Sequence, residues 1–398
     1  MSGVVISVGA EFRWAFHAAR AAQDAGLLQQ FITARSNPAA YGIEDRYVRY
    51  FTLPRYAGAA FRRIGPLRFL APWQLITDNT FDLQAALSLP KSRIFHGWNS
   101  YSLLPMLRAK QRGTITIVDR PSLHPMFELQ ALIKAHETHG YPLPRAGIRW
   151  QTAKEVRELN MADWVVVCSS LGVETMVSHG VDPGKLRVVP FGVDSSHFTP
   201  GEKEDSTYRV LFVGGLRYRK GLPDLLAAYQ EIESPGTELV IVGGVPEPGM
   251  EQILSRVPPS VRIVGSVHPN ELPAYYRNAS VLVLPSHAEG LGMVVLEAMA
   301  CGTPVVVTDM VGARDLISDG NAGLVVPTGD VAALAAALQR LHNEPDWRRA
   351  LGENARKIAV ENSWANYGRK IVDLYRSLLS EEETVEGGIF PDLPKARH

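Results

Sequence analysis

Short apolar runs alternate with longer amphipathic stretches along most of the chain. The runs do not alternate between apolar and polar residues, as a strand with one face in water would. Each is therefore predicted to be a buried strand of a parallel sheet with helices on both faces. In the first half, the predicted strands are 4–8, 31–34, 92–96, 114–119, 164–168 and 186–190, and the predicted helices are 13–24, 105–111 and 152–161.

The polar segment 199–207, TPGEKEDST, interrupts this pattern and is predicted to be a linker. A second series of buried strands follows, so the sequence predicts an α/β fold with two domains, 1–200 and 208–362. An amphipathic helix, 363–380, and a loose acidic tail, 381–398, come after them. The predicted strands of the second domain are 209–213, 238–242, 262–264, 280–284 and 304–307.

Composition narrows the class of protein. The 398 residues exceed what one core usually supports. Lys+Arg 41 against Asp+Glu 41 gives no net charge, so nucleic acid is not an expected partner. Cys168 and Cys301 provide neither a disulfide framework nor a metal cluster. No basic leader or apolar run of roughly 20 residues occurs, so a cytoplasmic or peripheral location is predicted.

The segment 289–307, EGLGMVVLEAMACGTPVVV, is typical of a loop, a helix and a buried strand. Good helix formers occupy 293–300, and Gly302 is placed to end the helix. The backbone N–H groups of Leu291 to Val294 are then free donors at the positive end of the helix dipole. Such a helix start suits a phosphate or diphosphate.

Two carboxylates, Glu289 and Glu297, flank this helix start at a spacing of eight residues. On one continuous helix they would be about 12 Å apart along the axis, too far to share a proton. We expect them to accept hydrogen bonds from hydroxyls on different parts of one extended ligand.

A basic pair, Arg219 and Lys220, precedes another predicted helix and can place two cations against a diphosphate. A solvated basic turn is the alternative for that pair taken alone.

The pattern EG-L-G-xxxx-EAMA-x-G-x-PVV resembles the signature of the retaining, nucleotide-sugar-dependent glycosyltransferases of family four, group 1 type. The resemblance implies the GT-B fold, in which two Rossmann-like parallel-sheet domains face a central cleft and the helix 363–380 crosses back onto the first domain. It implies transfer of a hexose or related sugar from a nucleoside diphosphate sugar to a hydroxyl, with retention of configuration. The implied acceptor is a glycan or a lipid-linked glycan.

The resemblance also implies roles for individual residues, with Glu289 holding the sugar hydroxyls, Glu297 the ribose, and His124 the sugar from the opposite domain. Asp119 and Arg120 remain alternatives to His124, and His96 is as well explained by packing as by function. The family often has an Arg where this chain has Gly215, so Arg217 or Arg219 would have to substitute. The residues implied in catalysis are Glu289, His124 and Lys220, and those implied in donor binding are Gly9, Arg219, Lys220, Val267, Glu289, Leu291, Gly292, Met293, Val294 and Glu297.

No Asp-x-Asp triplet occurs, so no metal ion and no other cofactor is expected. Backbone contacts near Val267 do not separate uridine from guanosine donors. Two rivals remain: another enzyme on the same fold, such as a nucleotide-sugar epimerase or a sugar phosphorylase, and a nucleotide-sugar-binding relative without turnover.

The run 46–76 contains six arginines, seven aromatic residues and no acidic residue. It is a candidate contact with an anionic membrane or a lipid diphosphate acceptor. The alternative is a helical insertion with its aromatic residues inside and its arginines in water.

Overall fold

The computed structural model describes residues 3–9, 12–35, 37–52, 73–141, 143, 145–319 and 321–380. Within these residues the chain forms two sheets, of seven and six strands, and the strand pairs are parallel. The predicted α/β fold class is therefore confirmed.

The first sheet has the strand order β3-β2-β1-β4-β5-β6-β7. Its strands are β1 Val4–Val8, β2 Leu28–Thr33, β3 Val48–Tyr50, β4 Ile94–Trp98, β5 Ile115–Arg120, β6 Trp164–Val167 and β7 Leu186–Val188. The helices that accompany it are α1 Ala15–Asp24, α2 Trp73–Ser88, α3 Leu103–Lys110, α4 Pro125–Thr138, α5 Arg145–Met161 and α6 Ser170–Ser178.

The second sheet has the order β10-β9-β8-β11-β12-β13. Its strands are β8 Tyr208–Val213, β9 Thr237–Val242, β10 Val261–Gly265, β11 Val281–Leu284, β12 Val305–Thr308 and β13 Gly323–Val326. The helices in this half are α7 Leu222–Ile232, α8 Met250–Leu254, α9 Leu272–Asn278, α10 Met293–Ala300, α11 Arg314–Asp319, α12 Val331–Asn343, α13 Pro345–Glu361 and α14 Trp364–Ser380.

Central strands of both sheets are completely buried, as their apolar sequences require. Every residue of β1, β4, β11 and β12 is buried. Strand order reverses beside β1 in the first sheet and beside β8 in the second. In open parallel sheets, ligands bind at the carboxyl ends of the strands near such reversals, so the fold places candidate sites after β1, β4, β8 and β11.

The helix α14 crosses back to the first domain and packs along α1. His17 of α1 stacks on Trp364 of α14 with ring centroids 3.9 Å apart. Deeper in the same contact, the hydroxyl of Tyr375 lies 2.7 Å from Nδ1 of His96 at the centre of the first sheet. The helix α14 is thus bound to the first domain by both stacking and hydrogen bonding.

Several predicted element bounds differ from the structure. The predicted strand 92–96 begins at Ile94, and the predicted helix 152–161 begins at Arg145. The strands β3 and β13 were not predicted: both lie at a sheet edge and are only partly buried, β3 contains Arg49, and β13 begins at Gly323. The tail 381–398 lies outside the described residues. In the part of the chain that the structure describes, no helix is long and apolar enough to cross a membrane.

Candidate diphosphate site

The start of α10 presents unpaired backbone donors. Gly292 precedes the helix with φ 90°. A side chain there would be strained in this conformation, and its Cβ would lie 2.9 Å from a methyl group of Leu284, so glycine is required. Among the hydrogen bonds of the described residues, none has the N–H of Leu291, Gly292, Met293 or Val294 as donor. These groups are available to an anion at the positive end of the helix.

Glu289 lies outside the helix, so the distance expected for one continuous helix does not apply. Its N–H donates to the carbonyl of Met310 at 2.9 Å, which places it in a bridge beside the helix start. The carboxylate forms an ion pair with Lys220, and Nη1 of Arg219 lies 3.9 Å from it. The structure therefore brings together three residues that the sequence placed in separate motifs.

The three charged side chains are 18 to 22% exposed, which is enough to reach a ligand and little enough to weaken screening by water. Burial alone would raise the pKa of Glu289. The charges of Lys220 and Arg219, with the hydrogen bond from Lys220, outweigh burial and hold that pKa below its usual range. Glu289 is thus a carboxylate at neutral pH and can accept hydrogen bonds from hydroxyl groups.

The short turn Tyr218–Lys220 that carries the two cations is fixed against the loop before Glu289. Gly221, with φ 66°, ends the turn, and a Cβ there would lie 1.9 Å from the carbonyl oxygen of Pro285. The N–H of His287 donates to the carbonyl of Arg219 at 2.8 Å. These contacts hold the cations in a constant position relative to Glu289.

Glu297 lies within α10 and accepts a hydrogen bond from the hydroxyl of Tyr276 at 2.7 Å. Burial raises its pKa, while this hydrogen bond and the charges of Arg13 and His197 oppose the rise. Arg13 comes from the first domain, just before α1, so the surroundings of Glu297 include both domains. The sequence did not identify Tyr276 or Arg13 as neighbours of this carboxylate.

Gly215, where the family often has an arginine, is exposed. The side chain of Arg217 lies alongside it, with Nε 3.4 Å from the position that a Cβ at residue 215 would occupy. The guanidinium of Arg217 therefore lies beside this position, and its role in place of the arginine stays a prediction. Arg219 instead donates to the carbonyl of Ala288 beside Glu289.

His124, to which the resemblance assigned the sugar contact, is 3% exposed. It caps α4, with Nδ1 accepting from the N–H of Met126 at 3.3 Å, and its ring stacks on His179 at 4.4 Å. Burial, with the nearby charges of His179 and Arg120, lowers its pKa to about 4. Nδ1 of His124 is thus used within the fold, and the sugar contact assigned to this residue stays a prediction.

The alternatives Asp119 and Arg120 are also engaged in the interior. Asp119 is 1% exposed below α14, and burial raises its pKa well above the usual range. Arg120 pairs with Glu128 and Glu155 and donates to the carbonyl of Leu123. Arg120 therefore supports the loop after β5, whereas the carboxylate of Asp119 lies buried 3.9 Å from Nε2 of His96.

The loop after β5 nevertheless contacts the turn 289–292 that precedes α10. A Cβ on Gly290 would lie 2.3 Å from the carbonyl oxygen of Pro121, so only glycine fits between the loop and the turn. The hydroxyl of Ser169, from the first domain, donates to the carbonyl of Gly290 at 2.7 Å. The two domains are in direct contact at the residue that follows Glu289.

Two weaker predictions concern backbone positions. Gly9 is buried after β1, and a Cβ there would lie 2.4 Å from the ring of Tyr101, which explains the glycine by packing. Val267 follows β10 and packs partly buried against the main core. His268, the next residue, is exposed and caps the following turn.

An interdomain contact that the sequence did not predict lies beside the cations. Tyr218 is fully buried, and three rings from the end of α4 surround it. The rings of His136, His139 and Tyr141 have centroids 5.1, 5.1 and 5.4 Å from that of Tyr218. We call these four residues the aromatic clamp. The three clustered aromatic residues 136–141 were visible in the sequence, but no periodic pattern indicates what lies across a cleft.

Polar contacts complete the aromatic clamp. Nε2 of His136 lies 3.3 Å from the carboxylate of Glu247, which also accepts from the N–H of Tyr218 at 3.1 Å. The Tyr141 hydroxyl donates to Gln252 at 3.0 Å. The first domain thus holds the residue directly before Arg219 and Lys220. Within the described residues, no group of three or more His, Cys, Asp or Glu side chains could hold a metal ion.

The sequence matches two family models. Residues 13–197 match the model described as Glycosyltransferase Family 4, and residues 194–358 match the one described as Glycosyl transferases group 1.

Curated relatives align with part of the chain. A D-inositol 3-phosphate glycosyltransferase of Streptosporangium roseum is 30% identical over 297 residues, which are 68% of this chain and 66% of that protein. One of the same name from Acidothermus cellulolyticus is 33% identical over 288 residues, 66% of this chain and 63% of that protein. The chain therefore spans less than two thirds of the length of these relatives.

Solved structures share the fold over almost the whole chain. Sucrose-phosphate synthase from Thermosynechococcus elongatus has a TM-score of 0.72 at 24% identity, over 95% of this chain and 100% of its own. HepE of Anabaena, in complex with UDP-glucose, has a TM-score of 0.66 at 16% identity, over 94% of this chain and 99% of its own. With the two family models meeting at residues 194–197, the chain belongs to glycosyltransferase family four, of the group 1 type, and has its GT-B fold.

Proposed function

We propose that the chain transfers a hexose or related sugar from a nucleoside diphosphate sugar to a hydroxyl acceptor. The observation that carries this proposal is the meeting of Lys220, Arg219 and Glu289 beside the free amides of Leu291 to Val294. Cations and a helix start suit a diphosphate, and a carboxylate beside them suits the hydroxyls of a sugar.

The chemical role of the site is to stabilise a leaving group. Transfer breaks the bond between the anomeric carbon and the diphosphate oxygen, and the diphosphate leaves with increased negative charge. Fixed cations and N–H groups near that oxygen stabilise the charge as it develops. The acceptor hydroxyl forms the new bond and loses its proton. Retention of configuration is part of the proposal because members of the family retain it.

The names of similar proteins support the donor class. The curated relatives are named glycosyltransferases, and the solved structures include HepE with UDP and with UDP-glucose. A nucleoside diphosphate glucose is therefore the first donor to test. For the acceptor we propose a glycan or a lipid-linked glycan, with a cytoplasmic location that extends to the inner face of the membrane if the acceptor is a lipid.

The test is a panel of UDP and GDP sugars, each incubated with and without candidate acceptors, which include inositol phosphate because of the relatives' names. We expect release of free nucleoside diphosphate that depends on an acceptor. Conversion of the donor into another nucleotide sugar without acceptor would indicate an epimerase. Release that requires inorganic phosphate would indicate a phosphorylase, and binding without any turnover a non-catalytic relative.

A further inference from the structure

Helices α2 and α3 lie side by side in the first domain and present exposed leucines. Leu83 and Leu87 of α2 are 50% and 67% exposed, and Leu104 and Leu107 of α3 are 36% and 43% exposed. Spacings of four and three residues place each pair on one side of its helix. We call these four side chains the leucine face.

Single exposed leucines are ordinary, but neighbouring ones form a patch that water does not solvate well. Three members of the leucine face, Leu83, Leu104 and Leu107, line one shallow groove between the two helices. Arg108 and Arg112 line the same groove. The patch therefore combines an apolar centre with a cationic edge.

The helical stretches that carry the leucine face are rich in basic residues. The stretches 83–93 and 103–113, which contain the four leucines, have no acidic residue and five basic ones. The two carboxylates of α2, Asp78 and Asp82, are buried. Lys110 pairs with Asp163, and Arg93 donates to the carbonyl of Leu379. Arg112 donates to the carbonyl of Leu89, and neither it nor Arg108 makes an ion pair with a described residue. This surface is locally cationic on a protein whose net charge is zero. The five basic residues are Lys91, Arg93, Arg108, Lys110 and Arg112.

The basic and aromatic run 46–76 leads directly into α2. Residues 53–72 lie outside the described residues, so only the ends of that run are described. At its beginning, Arg46 pairs with Glu44 at 2.8 Å, so this arginine has the compensating carboxylate that the run itself lacks. The cationic surface that the structure does describe lies further along, on α2 and α3.

We propose that the leucine face docks on an anionic lipid surface, with the leucines at the acyl boundary and Arg108 and Arg112 at the headgroups. A uniformly anionic surface fits a cationic edge without carboxylates, and a bilayer accommodates leucines on two adjacent helices. This inference does not rest on the proposed transferase activity.

The experiment is co-sedimentation of the full chain with vesicles of equal parts phosphatidylglycerol and phosphatidylcholine at low salt, compared with phosphatidylcholine alone. The wild type should bind the anionic vesicles and be released by salt. Leu83→Gln with Leu87→Gln should weaken partitioning about tenfold, since both leucines lose apolar burial. Arg108→Gln with Arg112→Gln should weaken it about thirtyfold and reduce its dependence on salt.

The matched control replaces two exposed valines of the second domain. Val245→Gln and Val360→Gln, at positions 90% and 45% exposed, should leave binding unchanged. Circular dichroism and thermal unfolding of every variant confirm that the fold is kept, as expected for exposed positions.

Three results would overturn the proposal. One is a wild type that ignores anionic vesicles at low salt, and another is equal binding by the leucine variant and the wild type. The third is a wild type that self-associates in light scattering and becomes monomeric in the leucine variant, which would make the leucine face a contact between two copies of the chain.

Discussion

Lys220 carries the charge on which the diphosphate site depends, and its ion pair with Glu289 fixes where that charge lies. Lys220→Ala should reduce kcat by about 10² to 10³, the usual cost of removing one fixed group that stabilises developing charge. The pair is partly buried, so the free energy of unfolding should fall by about 1–3 kcal/mol, between the values for exposed and buried pairs.

Lys220→Arg is the control, because it keeps a cation at this position. Steady-state kinetics and thermal unfolding measure the two effects. Normal turnover by Lys220→Ala would exclude Lys220 from the site.

Glu289 and Glu297 should separate in their effects because they lie on opposite sides of the helix start. Glu289→Gln should keep nucleotide affinity and lower kcat, since it loses a charged acceptor for the sugar hydroxyls. Glu297→Gln should weaken nucleoside diphosphate binding about tenfold, the value of one hydrogen bond to a charged group.

Tyr276→Phe tests the neighbour that the structure adds. It should change affinity less than Glu297→Gln if the nucleotide, and not the tyrosine, is the main partner of the carboxylate. Calorimetric titration of each variant gives the comparison, and equal effects of the two glutamate variants would remove the division of roles.

The sequence predicted the charged residues of the site better than the residues that contact them. Glu289, Arg219 and Lys220 belong to two local motifs, and the structure joins them. The partnership of Glu297 with Tyr276 spans 21 residues and has no local pattern. His124 was assigned by a short resemblance, which contains no information that its Nδ1 caps α4 or that its ring stacks on His179.

Among the elements, α14 is held to the first sheet by a buried histidine. Burial lowers the pKa of His96 to about 3. Between pH 6.5 and 3 the unfolded chain binds a proton at His96 that the folded chain does not, so this residue makes stability fall as pH falls through that window. Above pH 6.5 His96 is neutral in both the folded and the unfolded chain, so its titration no longer lowers the free energy of unfolding.

His96→Gln should keep a polar group near Tyr375 without titrating. The slope of the free energy of unfolding against pH, measured by urea unfolding from pH 7 to 4, should then decrease by up to about 1.4 kcal/mol per unit. Identical slopes for variant and wild type would mean that His96 is not neutral in the folded protein.

The aromatic clamp joins α4 of the first domain to the turn before α7. Tyr141→Ala removes one ring from Tyr218, and a lost aromatic contact is worth about 0.5–1.5 kcal/mol. If the aromatic clamp holds the two domains together over the cleft, kcat should fall about two- to tenfold, and the radius of gyration with nucleotide should increase.

Tyr141→Phe keeps the ring and loses the hydroxyl, with its hydrogen bond to Gln252, so it is the matched control. Small-angle X-ray scattering and kinetics provide the readouts. A lower kcat with unchanged scattering would contradict a role of the aromatic clamp in holding the two domains together.

Pattern predicted the buried strands because each is a continuous apolar run, and it missed β3 and β13, which are partly buried strands at the sheet edges. It did not predict which elements meet across the cleft. The contact of α4 with Tyr218 depends on how the two domains are oriented, and periodicity along one element contains no information about orientation.

Across the whole molecule, we propose that the second domain recognises the diphosphate and that the first domain encloses it. Arg219, Lys220 and the start of α10 belong to the second domain. Pro121 and Ser169 of the first domain contact Gly290, just before that helix. Protein cations at the site are expected to do what a metal ion does in other transferases, so binding in the presence of EDTA is predicted.

The most direct test is calorimetric titration of the wild type, in EDTA, with a nucleoside, its monophosphate and its diphosphate, for both uridine and guanosine. For one of the two bases, we predict that the diphosphate binds about tenfold or more tightly than the monophosphate, and that Arg219→Ala with Lys220→Ala abolishes this difference. Failure of both diphosphates to bind, or a double variant that keeps the difference, would show that Arg219 and Lys220 do not form a diphosphate site.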